Sequence, residues 1–113
     1  MNSNNYEMIF CIVNAGFAVE AMESAKKAGA QGGTILRARG TANPEAEEFY
    51  NISIQPDKEI LWIIVPKEIK DDVMHNLYED AGLNTPGKGI IFSLPVTHAI
   101  GLHEQEEEKK KES

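Results

Sequence analysis

Two stretches of this chain follow one plan, and that repetition limits the folds open to it more than any other feature. In the first, the aromatic and β-branched run Tyr6 to Val13 ends at Asn14-Ala15-Gly16. It gives way to a segment whose apolar positions, Ala18, Ala21, Met22, Ala25 and Ala28, recur at steps of three and four. That is strand composition followed by helix periodicity. Gly29 stands where a helix C-terminus takes a left-handed residue, and Gly32-Gly33 releases a second extended run, Thr34 to Arg39. In the second stretch Glu59 to Val65 reads as a strand and Pro66 suits the first turn of a helix. Ile69, Val73, Leu77 and Ala81, with Met74, form one stripe up to the cap Gly82, and Gly87-Lys88-Gly89 leads into the strand Ile90 to Leu94. A β-α-β unit given twice in 113 residues, too few for two independent cores, predicts a single α+β domain. The architecture that satisfies it is the ferredoxin-like βαββαβ sandwich, an antiparallel four-stranded sheet with two helices on one face.

A sheet covered on one face leaves the other bare. In Thr34 to Arg39 the side chains of Thr34, Leu36 and Ala38 share one face while Ile35, Arg37 and Arg39 share the other. Ile35, Ile60 or Leu61, Trp62 and the apolar residues of the first strand cannot all point at two helices, so the open face is expected to be buried by self-association. Between the halves, Thr41 to Lys58 is polar and acidic and carries Pro44 and Pro56. It is expected to be a functional, partner-contacting loop in which only Phe49 to Ile54 makes a short extended piece, with Glu45, Glu47 and Glu48 on a solvated face. The domain is expected to occupy residues 1–103. Residues 104–113, with five carboxylates and three lysines, read as a charged disordered tail.

Charge and cysteine usage narrow the function classes. With 11 Lys and Arg against 18 Asp and Glu the formal net charge is −7, which does not supply the basic face that a nucleic-acid backbone requires. Cys11, the one cysteine, lies inside the apolar run Met8 to Val13 and is expected to be a buried, inert thiol in a reducing compartment. The N-terminus lacks a basic segment, and the longest apolar runs fall far short of the ~20 residues that span a bilayer, so a cytoplasmic location is expected. His75, His98 and His103 show no metal-ligand spacing and read as solvent-exposed. With no nucleophile elbow and no close acid pair outside the helices and tail, the expectation is a protein that is neither an enzyme nor a metal binder.

Two features remain that could meet an anion. In Thr85-Pro86-Gly87-Lys88-Gly89 closely spaced glycines let backbone N–H groups converge, and Lys88 adds a point charge; the same turn could serve geometry alone. Arg37 and Arg39 put two like charges on one strand face. Salt bridges to Glu45–Glu48, within or across subunits, or a phosphate between the guanidinium groups would each account for them.

At these residues the sequence resembles the PII signal-transduction (nitrogen regulatory) family, over most of Met8 to Leu102. Gly32-Gly33-Thr34-Ile35-Leu36-Arg37-Ala38-Arg39-Gly40 is similar to the family's second strand and the start of its T-loop. Gly87-Lys88-Gly89-Ile90-Ile91-Phe92 is similar to its phosphate loop, and Ser93-Leu94-Pro95-Val96-Thr97-His98-Ala99-Ile100 to its closing segment. The resemblance implies a ferredoxin-like subunit, a homotrimer, an adenine nucleotide (ATP, ADP or AMP) in the clefts between subunits, and a loop that docks onto an enzyme or membrane transporter. Carried onto this chain, it assigns ligand contacts to Thr34, Arg39, Gly40, Gly87, Lys88, Gly89 and His103, with Ile63 or Ile64 beside the base, and partner contacts to Phe49, Tyr50 and Ile52. The chain departs from the family in having Lys88 for an aspartate, Ile90 for a lysine, and Gly101 and His103 for two arginines. Its loop is also far shorter than in nitrogen-regulatory members and lacks their loop-entry glutamine, so 2-oxoglutarate sensing is not implied. The chain reads as a divergent PII-like regulator; a trimeric interaction protein that has lost its ligand is the alternative.

Overall fold

The computed structural model describes residues 5–41, 44–51, 56–80, 82–83 and 88–102. Along the chain they form β1 (Tyr6–Asn14), α1 (Ala18–Lys27), β2 (Thr34–Arg39), α2 (Pro44–Tyr50), β3 (Asp57–Pro66), a 3-10 turn (Lys67–Ile69), α3 (Lys70–Asp80) and β4 (Gly89–Pro95). The strands make one antiparallel sheet in the order β2-β3-β1-β4, the ferredoxin-like arrangement that the duplicated β-α-β plan predicts. In β1 the odd positions Ile9, Cys11 and Val13 are buried, and across the ladder they meet Ile63, Leu61 and Glu59. Strand alternation therefore turns one set of side chains toward α1 and α3 and the other set away. The helices close the core with Ala18, Ala21, Met22 and Ala25 from α1 and with Val73 and Leu77 from α3. Because α1 contributes mostly alanine, the large buried side chains come from the strands and α3, each worth roughly 1.5–3 kcal/mol relative to exposure.

Local chemistry fixes the ends of α1. The Glu59 carboxylate of β3 accepts the Gly16 and Ala18 backbone N–H groups at 2.8 and 3.2 Å, a cap supplied across the fold where Phe17, at the N-cap itself, offers none. At the other end Gly29, at φ +110°, donates to Lys26 O and Ala30 donates to Ala25 O, which is the Schellman arrangement. A part-buried polar clamp joins the helices. The Ser24 hydroxyl lies 3.0 Å from both the Asn76 carbonyl and the Asp80 carboxylate, and the Asn76 amide donates to Ser24 O at 3.3 Å.

Four details differ from the sequence expectation. Pro44–Tyr50 is a short helix, so Phe49 and Tyr50 are helical and not the start of an extended piece; helix-forming Glu45, Ala46, Glu47 and Glu48 behind Pro44 provide the local reason. The fold therefore carries a third helix outside the sandwich, with no buried residue. Pro66 ends β3 and the helix begins through the 3-10 turn. Ile35 pairs with the buried Leu61 and thus lies on the helix side of the sheet; its neighbours Leu36 and Ile60 are the residues on the open face.

Candidate functional site

The two strands of the β2–β3 hairpin are unequal, and the inequality makes a cleft. Thr34, the first residue of β2, pairs with Trp62, while β3 continues to Pro66 with no β2 residue beside it. Gly33 passes so close to β3 that a Cβ there would stand 2.9 Å from the Trp62 carbonyl oxygen and 3.1 Å from Met22 Sδ. The Trp62 carbonyl therefore points toward β2. By the two-residue alternation of a ladder, the Ile64 N–H and C=O point the same way, past the end of β2. They face an open cleft of about 1160 Å³, comparable to the ~300–1,000 Å³ of small-molecule sites. Trp62 and Ile64 form its floor, Gln31, Gly33 and Thr34 one wall, and Glu68 and Ile69 its helix end; Leu102, the last described residue, also lines it.

This cleft gathers two residues assigned from sequence, Thr34 and Ile64; Ile63 turns into the core instead. The other described ones lie elsewhere. Gly40 sits at the loop end of the hairpin, its N–H donating to Pro56 O at 2.7 Å, and Arg39 precedes it, paired in register with Asp57. Among the described residues neither Arg37 nor Arg39 makes an ion pair or hydrogen bond through its guanidinium group. Lys88 is exposed just before β4, on the opposite edge of the sheet. Gly89 pairs with Val13 at φ +153°, where a Cβ would run into the Ile12 carbonyl oxygen, so its glycine is demanded by the sheet itself. Three strand spacings and three residues of offset put Gly89 roughly 17 Å from Thr34. One subunit thus does not bring the two sets together. Gly87, His103 and Ile52 lie outside the described residues. Phe49 and Tyr50 make a T-shaped pair at 5.0 Å on α2, with Phe49 82% exposed.

Sequence reasoning missed Gln31, Trp62 and Glu68 as cleft residues. The lone tryptophan of the chain, set at an even position of a strand whose odd positions are core, was the available signal. His75 and His98 are exposed, and no three His, Cys, Asp or Glu side chains converge as a metal site among the described residues. Nor is any helix of the described residues long and apolar enough to cross a membrane. Burial pushes the Cys11 thiol up to about 12.

The open face of the sheet is apolar from edge to edge. Its central row runs Phe92, Phe10, Trp62, Thr34, with Phe10 stacked on Phe92 at 5.0 Å and tilted against Trp62 at 5.1 Å. Ile12, Ile60 and Ile90 make the row below, and Met8, Ile64 and Leu94 the row above.

No family model matches the chain. Among solved structures it is similar to Arabidopsis thaliana PII bound to citrate, at 23% identity and a TM-score of 0.64 over 83% of this chain and 77% of that one. It is also similar to the B. subtilis GlnK-ATP complex, at 16% identity and a TM-score of 0.60 over 84% of each chain. With its strand order, its two helices on one face and its hairpin-borne loop, this chain has the fold of the PII proteins.

Proposed function

We propose that the chain is a PII-type regulatory protein and not an enzyme: a cytoplasmic homotrimer that takes an adenine nucleotide in the clefts between its copies. It would control a protein partner, an enzyme or a membrane transporter, through the segment 41–56; Asp57 and Lys58, expected to end that loop, already belong to β3, paired with Arg39 and Ala38. The observation that carries this reading is the unpaired upper edge of β3. A peptide N–H and C=O side by side at Ile64, flanked by Trp62 and Thr34, match the adjacent donor and acceptor on the edge of a planar base. The separation of Lys88 from that cleft favours a site completed by a second copy, because the β4 edge of one subunit set against the β2 edge of the next would bring Lys88 to the ligand. Such a contact joins two different surfaces and closes into a ring. The apolar open face supplies the area that ring would bury. Citrate in one structural neighbour and ATP in the other are consistent with an anionic ligand.

Thermal denaturation in the presence of adenine nucleotides tests the reading, since a ligand that binds only the folded state stabilises it by RT ln(1 + [L]/Kd), about 2.7 kcal/mol at a hundredfold excess over Kd. A rise in melting temperature that saturates with concentration is expected. A flat response to every adenine compound would leave the alternative of a trimer without ligand.

A further inference from the structure

From the charges around the cleft we infer that its ligand is a base-bearing molecule of low charge, a nucleoside or nucleoside monophosphate, in preference to a triphosphate. This rests on the adenine-site reading above. Among the described residues lining the cleft none is Lys or Arg, and the one ionisable group of charge is the carboxylate of Glu68. Lys67, its neighbour, is outside the lining, and Lys70 is held by Asp71 at 3.1 Å. Arg37 and Arg39 lie on the other face of β2, roughly 10 and 17 Å further along the strand from Thr34. The floor and walls are suited to a flat ring: Trp62 and Ile64 are apolar, and Gln31 and Thr34 are neutral hydrogen-bonding groups. On the reading above, a neighbouring copy would add Lys88, one cation against the one carboxylate. The two together leave the site neutral, which suits an uncharged nucleoside, and Lys88 can hydrogen-bond one phosphate at most as a point charge. Among the described residues no further cation lines the cleft to meet an added phosphate, in a chain of net charge −7.

Calorimetric titration of the full chain with adenosine, AMP, ADP and ATP, in magnesium-free buffer, tests the inference. ATP is expected to bind no more tightly than AMP, and ATP binding threefold or more tighter than AMP overturns the inference while leaving the adenine site intact. If none of the four binds, the adenine-site reading itself has failed. Glu68→Gln, a change on an exposed 3-10 turn, assigns the charge filter. It is expected to tighten ATP at least threefold while leaving adenosine unchanged, and an unaltered ATP-to-adenosine ratio removes Glu68 from the role.

Discussion

At the scale of single residues, three positions carry more constraint than their types suggest. Gly89 reads in the sequence as part of an anion loop, yet its backbone at φ +153° against the Ile12 carbonyl shows a demand made by strand packing. Gly89→Ala is therefore expected to cost about 1–3 kcal/mol in urea unfolding before any ligand is considered. A variant as stable as the parent would show that β4 can shift at no cost. Glu59 was read as merely the first residue of a strand, because a cap formed between residues more than forty positions apart has no local signature. Glu59→Ala is expected to lower stability by about 1–2 kcal/mol, with Glu59→Gln, which keeps an acceptor oxygen, losing less. The apolar run around Cys11 did reveal its place. Fully buried, with its thiol raised from 9.0 to about 12, it is expected to resist disulfide exchange reagents at pH 8 until the protein unfolds. The folded state holds that proton more tightly than the unfolded one. The stabilisation is thus complete below pH 9 and falls away as the pH rises from 9 towards 12. Rapid native labelling at pH 8 would contradict the burial.

At the scale of elements, periodicity made both sandwich helices legible, and β-branched and apolar runs bounded by turn residues made the four strands legible. The lengths of the strands were not legible. Alternation cannot tell whether β3 ends level with β2 or four residues beyond its start, and that overhang is what opens the cleft. Nor was α2 legible as a helix: seven residues give two turns at most, and its Pro and Gly-free acidic run looks the same in a loop. The structure sharpens what that segment contributes to stability. No α2 residue is buried, and the hairpin is closed beneath it by the Gly40 N–H to Pro56 O bond. Replacing residues 42–55 with a short Gly/Ser linker is expected to change the melting temperature by no more than a few degrees, because closure entropy varies slowly with loop length. Pull-down of a protein partner by the parent chain and not by the shortened one would mark the segment as the partner contact; unfolding of the shortened chain would show it to be structural instead.

At the scale of the whole molecule, the central question is what covers the second face of the sheet. A lone subunit leaves Ile90 56%, Leu94 45% and Leu36 41% exposed on a surface that reaches from β4 to β2. Single exposed apolar residues need no explanation, but a continuous face of four strands does, since monomeric proteins seldom leave such areas in water. The sequence announced that there were more apolar strand positions than two helices could cover, and erred only over which residue of β2 belonged to the excess. The cleft lies on one edge of the sheet and Lys88 on the other, so on the proposed reading assembly and ligand binding would stand or fall together. Light scattering coupled to size exclusion is expected to return three times the 12.5 kDa of the chain. Phe92→Lys sets a charge at the centre of the aromatic row beside Phe10, where burial would leave it unpaired. It is expected to release monomers of lower melting temperature and to abolish nucleotide binding together with assembly. Glu23→Lys, an exposed change of charge on α1, provides the control and should alter neither. A Phe92→Lys protein that keeps the mass of a trimer would place the interface elsewhere. One that becomes monomeric and still binds adenosine with undiminished affinity would show instead that Ile64, Thr34 and Trp62 suffice without a neighbour.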